Sequence, residues 1–211
     1  MMKVWGRATS GNVQIVTWAL GELGLDFDRV DVGGKFGGLT TPEFMAMNPN
    51  SLIPVVEDKG EIIWESAAIL RYLGAAYGDN KFWPADPLTR ALVDKWAEWM
   101  KTTFGPAFSS VFGPLIFTPS EKRDQQAIGN AVKRLQVLAP ILDKRLGESA
   151  YLGGNDLCFA DIVAGSPLYR YFTLEIERAD TPNLKAYYDR LTNRPAYAQH
   201  VMISYEAMRA K

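Results

Sequence analysis

The sequence has almost none of the side chains on which metal sites and many nucleophilic active sites depend. It contains one cysteine, Cys158, and one histidine, His200. A single thiol cannot close an intramolecular disulfide, and no CxxC pair is present for dithiol redox chemistry or zinc. Ser-His and Cys-His catalysis also lack their usual residues. We therefore predict a protein that holds no metal and whose chemistry depends on other groups.

An excess of charge and an unbroken apolar run are also lacking. Lys and Arg number 23 against 24 Asp and Glu, so no basic face favours nucleic acid as a partner. The first seven residues show no apolar leader, which predicts a cytoplasmic protein. The longest uncharged run, residues 102–120, is interrupted by two glycines and three prolines. It predicts a kinked helix beside something apolar and not a membrane span.

The first 78 residues alternate between strand and helix patterns. The predicted elements are a strand at 3–7, a helix at 11–23, a strand at 27–32, a short helix at 42–47, hairpin strands at 54–57 and 61–64, and a helix at 65–77. The first strand, helix and strand predict a parallel pair joined by a crossover. The order βαβ followed by ββα predicts a thioredoxin-like α/β domain.

A second domain is predicted after a polar segment, residues 79–87, that contains two prolines. Every periodic segment beyond it is helical. The predicted helices are at 88–104, 121–146, 158–171, 182–191 and 195–208. This change of pattern predicts a thioredoxin-like domain at 1–78, a linker at 79–87 and an all-α domain at 88–211.

The first chemically informative stretch is Thr9-Ser10-Gly11-Asn12, where the first strand gives way to the first helix. Free N–H groups and positive potential at a helix start stabilise an anion. The Ser10 hydroxyl is placed to donate to an anion there, such as a thiolate. The alternative is that Ser10 only caps the helix. Thr9 and Asn12 are close enough that either can make or share the contact.

Two further stretches suit a peptide-like ligand. Pro54 begins a strand, so the Ile53–Pro54 bond is either an ordinary trans bond or a cis bond that turns the Ile53 backbone outward. An outward Ile53 can pair with a peptide as an added strand does. Glu65 and Ser66 open the next helix, where the amides and Ser66 suit a carboxylate and Glu65 suits an ammonium group. The alternative for Glu65 is plain compensation of the helix dipole.

Taken in this order, these features make the chain resemble the cytosolic glutathione transferase family over essentially its full length. The stretch around Ser10 is similar to the serine-type classes, namely theta, delta and bacterial relatives. The resemblance implies that Ser10 activates the glutathione thiol, that Ile53 before cis-Pro54 pairs with the cysteinyl backbone, and that Glu65 and Ser66 hold the γ-glutamyl end. It also implies glutathione as co-substrate and a homodimer.

Several positions depart from the family pattern. A basic side chain often precedes the Ile/Val-Pro pair, and an arginine often follows Glu-Ser, but Ser51, Leu52 and Ala67 stand there. We name Lys35 as the residue that can supply the missing charge at the glycine end. Near Asp161, the stretch 156–162 resembles the folding motif of the family. Cys158 stands at the position of the capping hydroxyl, which predicts a cap that is weakened or moved to Asp156.

The electrophile pocket is predicted in the helical domain, because apolar ligands bind among aromatic side chains. Trp96, Met100, Phe104 and Phe108 are the candidates, with core packing as the alternative for part of that face. No general acid or base accompanies them. The predicted function is conjugation of glutathione to small apolar electrophiles in detoxification. The alternatives are a non-catalytic ligand- or protein-binding relative, favoured by the missing basic contacts, and a glutathione-dependent dehalogenase or peroxidase.

Overall fold

The computed structural model describes residues 1–210, and the chain divides into two compact units. The first unit contains Met1–Asp79 and Pro195–Ile203, and the second contains the remaining residues. The strands are β1 Met2–Trp5, β2 Phe27–Val30, β3 Val55–Asp58 and β4 Glu61–Trp64. The helices are α1 Gly11–Glu22, α2 Pro42–Met47, α3 Ser66–Tyr77, α4 Pro87–Trp99, α5 Gly105–Phe117, α6 Gln125–Leu146, α7 Phe159–Gly165, α8 Leu168–Thr173, α9 Pro182–Thr192 and α10 Pro195–His200. The predicted fold class, an α/β domain followed by a helical one, is confirmed.

The strands of the first unit form one mixed sheet in the order β2-β1-β3-β4. β1 and β2 are parallel, as the strand–helix–strand pattern predicts, and the other two pairs are antiparallel. The hairpin connection is one residue shorter than predicted, because Asp58 pairs with Glu61. Lys59 and Gly60 alone make the turn, with φ values of 54° and 86°. Two positive φ angles are what a two-residue hairpin of this twist requires.

Helix α1 is surrounded by other elements of the first unit. All eight residues from Val13 to Leu20 are buried, so the helix is covered on more than one face. The reason is that α1 contacts α3 and also α10. Trp18 of α1 meets Tyr197 of α10 edge to face at 4.8 Å between ring centroids. Residues 195–203 therefore group with the first unit, although the sequence pattern assigns them to the helical domain.

The second unit is helical, with α4 against α7 and α6 against both α5 and α9. The helix predicted at 88–104 ends at Trp99, and Met100–Phe104 forms a π-helical turn. The Gly105 N–H donates to the Met100 carbonyl, and a Cβ on Gly105 would lie 2.8 Å from that oxygen. A glycine is therefore needed for this wide turn. No helix within residues 1–210 has the length and apolarity to cross a bilayer.

Two other predicted helices are interrupted. The segment 158–171 is split into α7 and α8 by Pro167, which has no N–H to continue a helix. The segment 195–208 is helical only to His200 and resumes as a 3₁₀ turn at Glu206–Met208. The Ala210 N–H donates to the Ile116 carbonyl at 2.7 Å. This bond holds Ala210 on α5.

A buried carboxylate organises the start of α7. Asp161 is fully buried and accepts from the N–H groups of Leu152 and Cys158, both at 2.9 Å. The Tyr187 hydroxyl donates to it at 2.9 Å, and the Cys158 thiol donates at 3.1 Å. Asp156 instead pairs with Lys81, so the cap does not move to Asp156 as one alternative predicted. Sulfur acts here as a donor, and Asp161 supplies the acceptor.

The segment predicted as a linker is well packed on the second unit. The Asn80 side chain accepts from the Ala85 N–H at 2.8 Å. The Trp83 ring lies 4.7 Å from that of Phe159 in α7, and the Arg90 guanidinium lies 5.0 Å above the Trp83 ring. Two prolines in a polar setting therefore mark an ordered connection and not a loose tether.

Candidate functional site

Ser10 is the last residue before α1 and has an extended backbone, with φ −84° and ψ 124°. Its N–H donates to the Arg7 carbonyl at 3.1 Å, and its carbonyl accepts from the Gln14 N–H at 2.9 Å. Its hydroxyl makes no capping bond and has no partner within residues 1–210. The alternative that Ser10 only caps the helix is therefore not what the structure shows. The hydroxyl is available to a ligand at a helix N-terminus.

The turn that carries Ser10 is held by a residue that the sequence pattern did not single out. Gln14, 1% exposed, donates from its amide to the Ala8 carbonyl at 3.1 Å. This bond fixes the backbone two residues before Ser10. A buried glutamine on an otherwise apolar helix was the available signal.

Asn12 and Ser66, predicted from separate motifs, are in contact. The Ser66 hydroxyl donates to the Asn12 side-chain oxygen at 3.3 Å. Ser66 is buried at the start of α3, while Asn12 is exposed in the first turn of α1. The bond brings together the N-terminal ends of α1 and α3. Two sets of helix-terminal N–H groups, both favourable to anions, thus lie side by side.

The Ile53–Pro54 bond is cis, so the alternative of an ordinary trans proline is excluded. β3, which follows, is an internal strand between β1 and β4. No hydrogen bond involves Ile53 anywhere in the part of the chain that the structure describes. The Ile53 backbone groups are therefore unpaired within residues 1–210. A peptide ligand can form hydrogen bonds with these groups.

Asn48 arranges the loop before Ile53 and was missed by the sequence pattern. It is 2% exposed, and its side chain donates to the Leu52 carbonyl at 2.9 Å. Its side-chain oxygen accepts from the Asn50 N–H at 3.1 Å. Ser51, in the same loop, has φ 55°, a left-handed backbone. The Asn-Pro-Asn composition of the loop predicts a turn, but not that one asparagine closes it from inside.

Glu65 is exposed between β4 and α3 with φ 71° and ψ 111°. This conformation lies outside the regions that a residue with a Cβ populates readily, and it costs about 1–3 kcal/mol. Its side chain makes no capping bond to α3. Such strain at an exposed polar residue points to a binding role.

Lys35 lies in a 3₁₀ turn, Gly34–Phe36, and is exposed. Its ammonium group stands 5.1 Å from the centroid of the Phe36 ring. The flanking glycines, 33–34 and 37–38, all have positive φ, which shapes the loop around it. A role for Lys35 at the glycine end of glutathione remains a prediction.

The four candidates for the electrophile pocket lie in the second unit. Met100, Phe104 and Phe108 are 2%, 0% and 5% exposed, and Trp96 is half-buried. Phe104 and Phe108 both pack near Tyr171, at 5.6 and 6.1 Å between ring centroids. Phe104 is thus part of the aromatic core of this unit. Trp96 presents the most accessible surface of the four, and their role as pocket wall remains a prediction.

The other reactive groups have structural settings. Burial, with the neighbouring Asp161 carboxylate, raises the pKa of the Cys158 thiol well above its ordinary value, which disfavours a thiolate nucleophile. Burial alone would raise the pKa of Asp58, but hydrogen bonds from the Tyr72 and Tyr77 hydroxyls outweigh it and lower that pKa. These bonds tie the hairpin to α3. No cluster of metal-binding side chains occurs within residues 1–210.

Comparison with known proteins identifies both units. Residues 1–75 match the model for the glutathione S-transferase N-terminal domain, and residues 95–195 match that for the C-terminal domain. Glutathione S-transferase GstB of Escherichia coli K12 is 37% identical over 205 residues, which cover 96% of this chain and 99% of GstB. Glutathione S-transferase F14 of Arabidopsis thaliana is 31% identical over 210 residues, covering 95% and 80%.

A solved structure extends the comparison. The theta class glutathione S-transferase of Xanthomonas axonopodis pv. citri, with glutathione bound, superposes with a TM-score of 0.92. It is 38% identical, and the match covers 97% of this chain and 98% of that one.

Proposed function

Because this chain belongs to the glutathione S-transferase family, we propose that it conjugates glutathione to small apolar electrophiles by the serine-type mechanism. The observation that carries the proposal is the Ser10 hydroxyl, which lies at the start of α1 with no partner within residues 1–210. In the proposed complex, this hydroxyl donates a hydrogen bond to the glutathione sulfur and stabilises its thiolate.

The first unit supplies the rest of the proposed glutathione site. The unpaired Ile53 backbone pairs with the cysteinyl residue, as an added strand would. The N-terminal end of α3 with Ser66 binds the γ-glutamyl carboxylate, and Glu65 binds the α-ammonium group. Asn12 supports Ser66 and lies two residues beyond Ser10. Pro54, in cis, fixes the direction of the chain at Ile53.

The energetic requirement for thiol activation is modest. A free thiol has a pKa near ~8.5, and lowering it by about two units requires roughly 2.7 kcal/mol of preference for the anion. A hydrogen bond to an anion contributes about 1.5–3 kcal/mol, and a helix N-terminus adds about 0.3–1 kcal/mol. One serine at the start of α1 is therefore sufficient, and neither a metal nor a general base is required for this step.

The second unit is proposed to hold the electrophile. In this arrangement residues 1–78 bind glutathione, residues 79–87 connect, and the helices of the second unit supply an apolar wall that includes Trp96. Trp96 has partly accessible ring surface, and holding the electrophile beside the sulfur accelerates attack by proximity. No general acid accompanies these side chains, so the thiolate drives addition or substitution with little assistance to the leaving group.

We further propose a cytoplasmic homodimer. Leu88 and Leu92, one helical turn apart on α4, are 68% and 52% exposed, and Ile62 and Trp64 of β4 are 37% and 38% exposed. Apolar surface of this kind on an edge strand and on a helix is typical of surfaces that a second copy covers.

Binding and turnover measured together test the function. We expect calorimetry to show glutathione binding and an absorbance assay to show conjugation of an activated aryl halide. Ser66→Ala should weaken glutathione binding, whereas Ser110→Ala, on α5 of the second unit, should not. Binding without turnover on aryl halides, alkyl halides, epoxides and enones would favour a non-catalytic binding protein. No binding would refute the proposal.

A further inference from the structure

The Arg7 guanidinium lies beside the proposed glutathione site and has no partner among the residues that the structure describes. The Arg7 backbone N–H donates to the Val32 carbonyl at 3.2 Å. Its side chain is half-buried against Gly33 and Gly34, where an added Cβ would meet Arg7 Nη1 at 3.3 Å and Arg7 Nε at 3.2 Å. No hydrogen bond, ion pair or ring contact engages the guanidinium within residues 1–210.

This lack of a partner is unusual among the half-buried arginines of the chain. Arg123 and Arg178 each donate to two or more backbone carbonyls. In the first unit, Arg29 pairs with Asp31 and donates to the Gly6 carbonyl at 2.9 Å. Asp31 is thus already neutralised by Arg29. For the Arg7 donors, by contrast, residues 1–210 provide no acceptor.

The surroundings of Arg7 indicate where an acceptor would come from. A Cβ on Gly33 would lie 3.3 Å from Arg7 Nη1 and also 3.3 Å from Ile53 Cδ1. The guanidinium and the Ile53 side chain therefore border the same point. The Arg7 carbonyl also accepts from the Ser10 N–H, so one turn carries both residues.

We propose that Arg7 binds the glycine carboxylate of glutathione. The inference rests on the proposed function, in which the γ-glutamyl end lies at the start of α3 and the cysteinyl residue lies on Ile53. A tripeptide in that orientation has one carboxylate left to neutralise, on the far side of Ile53 from α3. Arginine suits it, because the planar guanidinium donates two parallel hydrogen bonds to a carboxylate.

The other candidate positions are less suited to bind the glycine carboxylate. Ser51, Leu52 and Ala67 are uncharged. Lys35 is exposed, and its ammonium group is already placed over the Phe36 ring. Arg7 is a half-buried cation that has no partner within residues 1–210, and burial strengthens an ion pair relative to one in open water. Lys35 then makes at most a secondary contact.

Two ligands and four variants test the assignment. The ligands are glutathione and its glycine monoethyl ester, which lacks only the glycine charge, and calorimetry gives the dissociation constants. For the wild-type protein we expect glutathione to bind about tenfold more tightly than the ester, the size of one charge-assisted contact. Arg7→Ala should remove that difference and leave ester binding nearly unchanged. Arg7→Lys should restore part of it.

The outcomes separate this inference from the function. Lys3→Ala, which removes an exposed positive charge on β1, should keep the tenfold preference. Equal weakening of both ligands by Arg7→Ala would assign Arg7 to the shape of the turn and overturn the inference. Loss of the preference in Lys35→Ala instead would assign the contact to Lys35. If the wild-type protein binds neither ligand, the proposed function fails and this inference fails with it.

Discussion

Replacing Ser10 with alanine removes one hydrogen bond and leaves the helix N-terminus in place. The Ser10 hydroxyl has no partner within residues 1–210, so its deletion leaves no group of the free protein unsatisfied. The stability of the free protein should therefore change little. Glutathione affinity should change little at pH values below the pKa of the bound thiol and should fall above it, where the wild-type complex is ionised. The bond to the thiolate is worth about 1.5–3 kcal/mol, which corresponds to a rise of about 1–2 units in the pKa of the bound thiol at 1.36 kcal/mol per unit.

This shift predicts a pH-dependent loss of activity and not a uniform one. Near the pKa of the wild-type complex, a shift of about 1.1–2.2 units lowers the ionised fraction roughly 7- to 80-fold in Ser10→Ala. About three or more units higher, the thiol is largely ionised in both proteins. The assay is the pH profile of kcat for an activated aryl halide at saturating glutathione.

A matched control is Thr9→Val, which removes the adjacent hydroxyl. We expect its pH profile to match that of the wild type. An unchanged profile for Ser10→Ala, or a shifted profile for Thr9→Val alone, would refute the assignment of the sulfur contact to Ser10.

Three further changes test the structural argument. Asp161→Ala leaves the backbone N–H groups of Leu152 and Cys158 without their acceptor and removes one acceptor of the Tyr187 hydroxyl, so the free energy of unfolding, measured in urea titrations, should fall by about 3–5 kcal/mol. Tyr187→Phe, as control, should lose only about 1 kcal/mol. Burial, assisted by the charge of Arg29, lowers the pKa of His200. As the pH falls below about 6.5, the unfolded state therefore takes up the proton before the folded state does. The free energy of unfolding, measured in urea titrations, should fall in that range more in the wild type than in His200→Gln. Glu65→Gly should keep or raise stability by up to about 1 kcal/mol through relief of its backbone strain while glutathione binding weakens; a clear loss of stability would contradict the strain argument.

Much of the first unit could be predicted because its signals are local. Alternation in 27–32 marks β2, and a proline after a threonine marks α2, whose bounds, Pro42–Met47, are the predicted ones. The Thr41 hydroxyl caps that helix by accepting from the Phe44 N–H at 3.3 Å. Local pattern was sufficient because the cap, the N1 proline and the period all agree.

Features that depend on distant parts of the chain could not be predicted. The grouping of α10 with the first unit depends on Tyr197 meeting Trp18, residues 179 positions apart in the numbering. The π-helical turn before Gly105 continues the apolar period of α4, so the sequence pattern shows no break. These arrangements are decided by packing, which a single sequence does not display.

The candidate site also contains residues that local sequence patterns reveal and features that they do not. Ser10, Ile53 and Ser66 could be named from turn and helix-start patterns. The absence of a partner for Arg7 could not, because an arginine after a first strand has the same sequence signature whether its charge is paired or free. The positive φ of Glu65 was also invisible, since the strand–helix junction accepts many backbone conformations.

The ionisation of bound glutathione tests the central claim most directly. Ultraviolet difference spectra of the wild-type complex, recorded across a pH titration, report the thiolate without any electrophile. We expect the bound thiol to titrate about two units below the ~8.5 of a free thiol, and this shift to shrink by about 1–2 units in Ser10→Ala. Bound glutathione that titrates like the free tripeptide, or an identical titration in both proteins, would contradict the account.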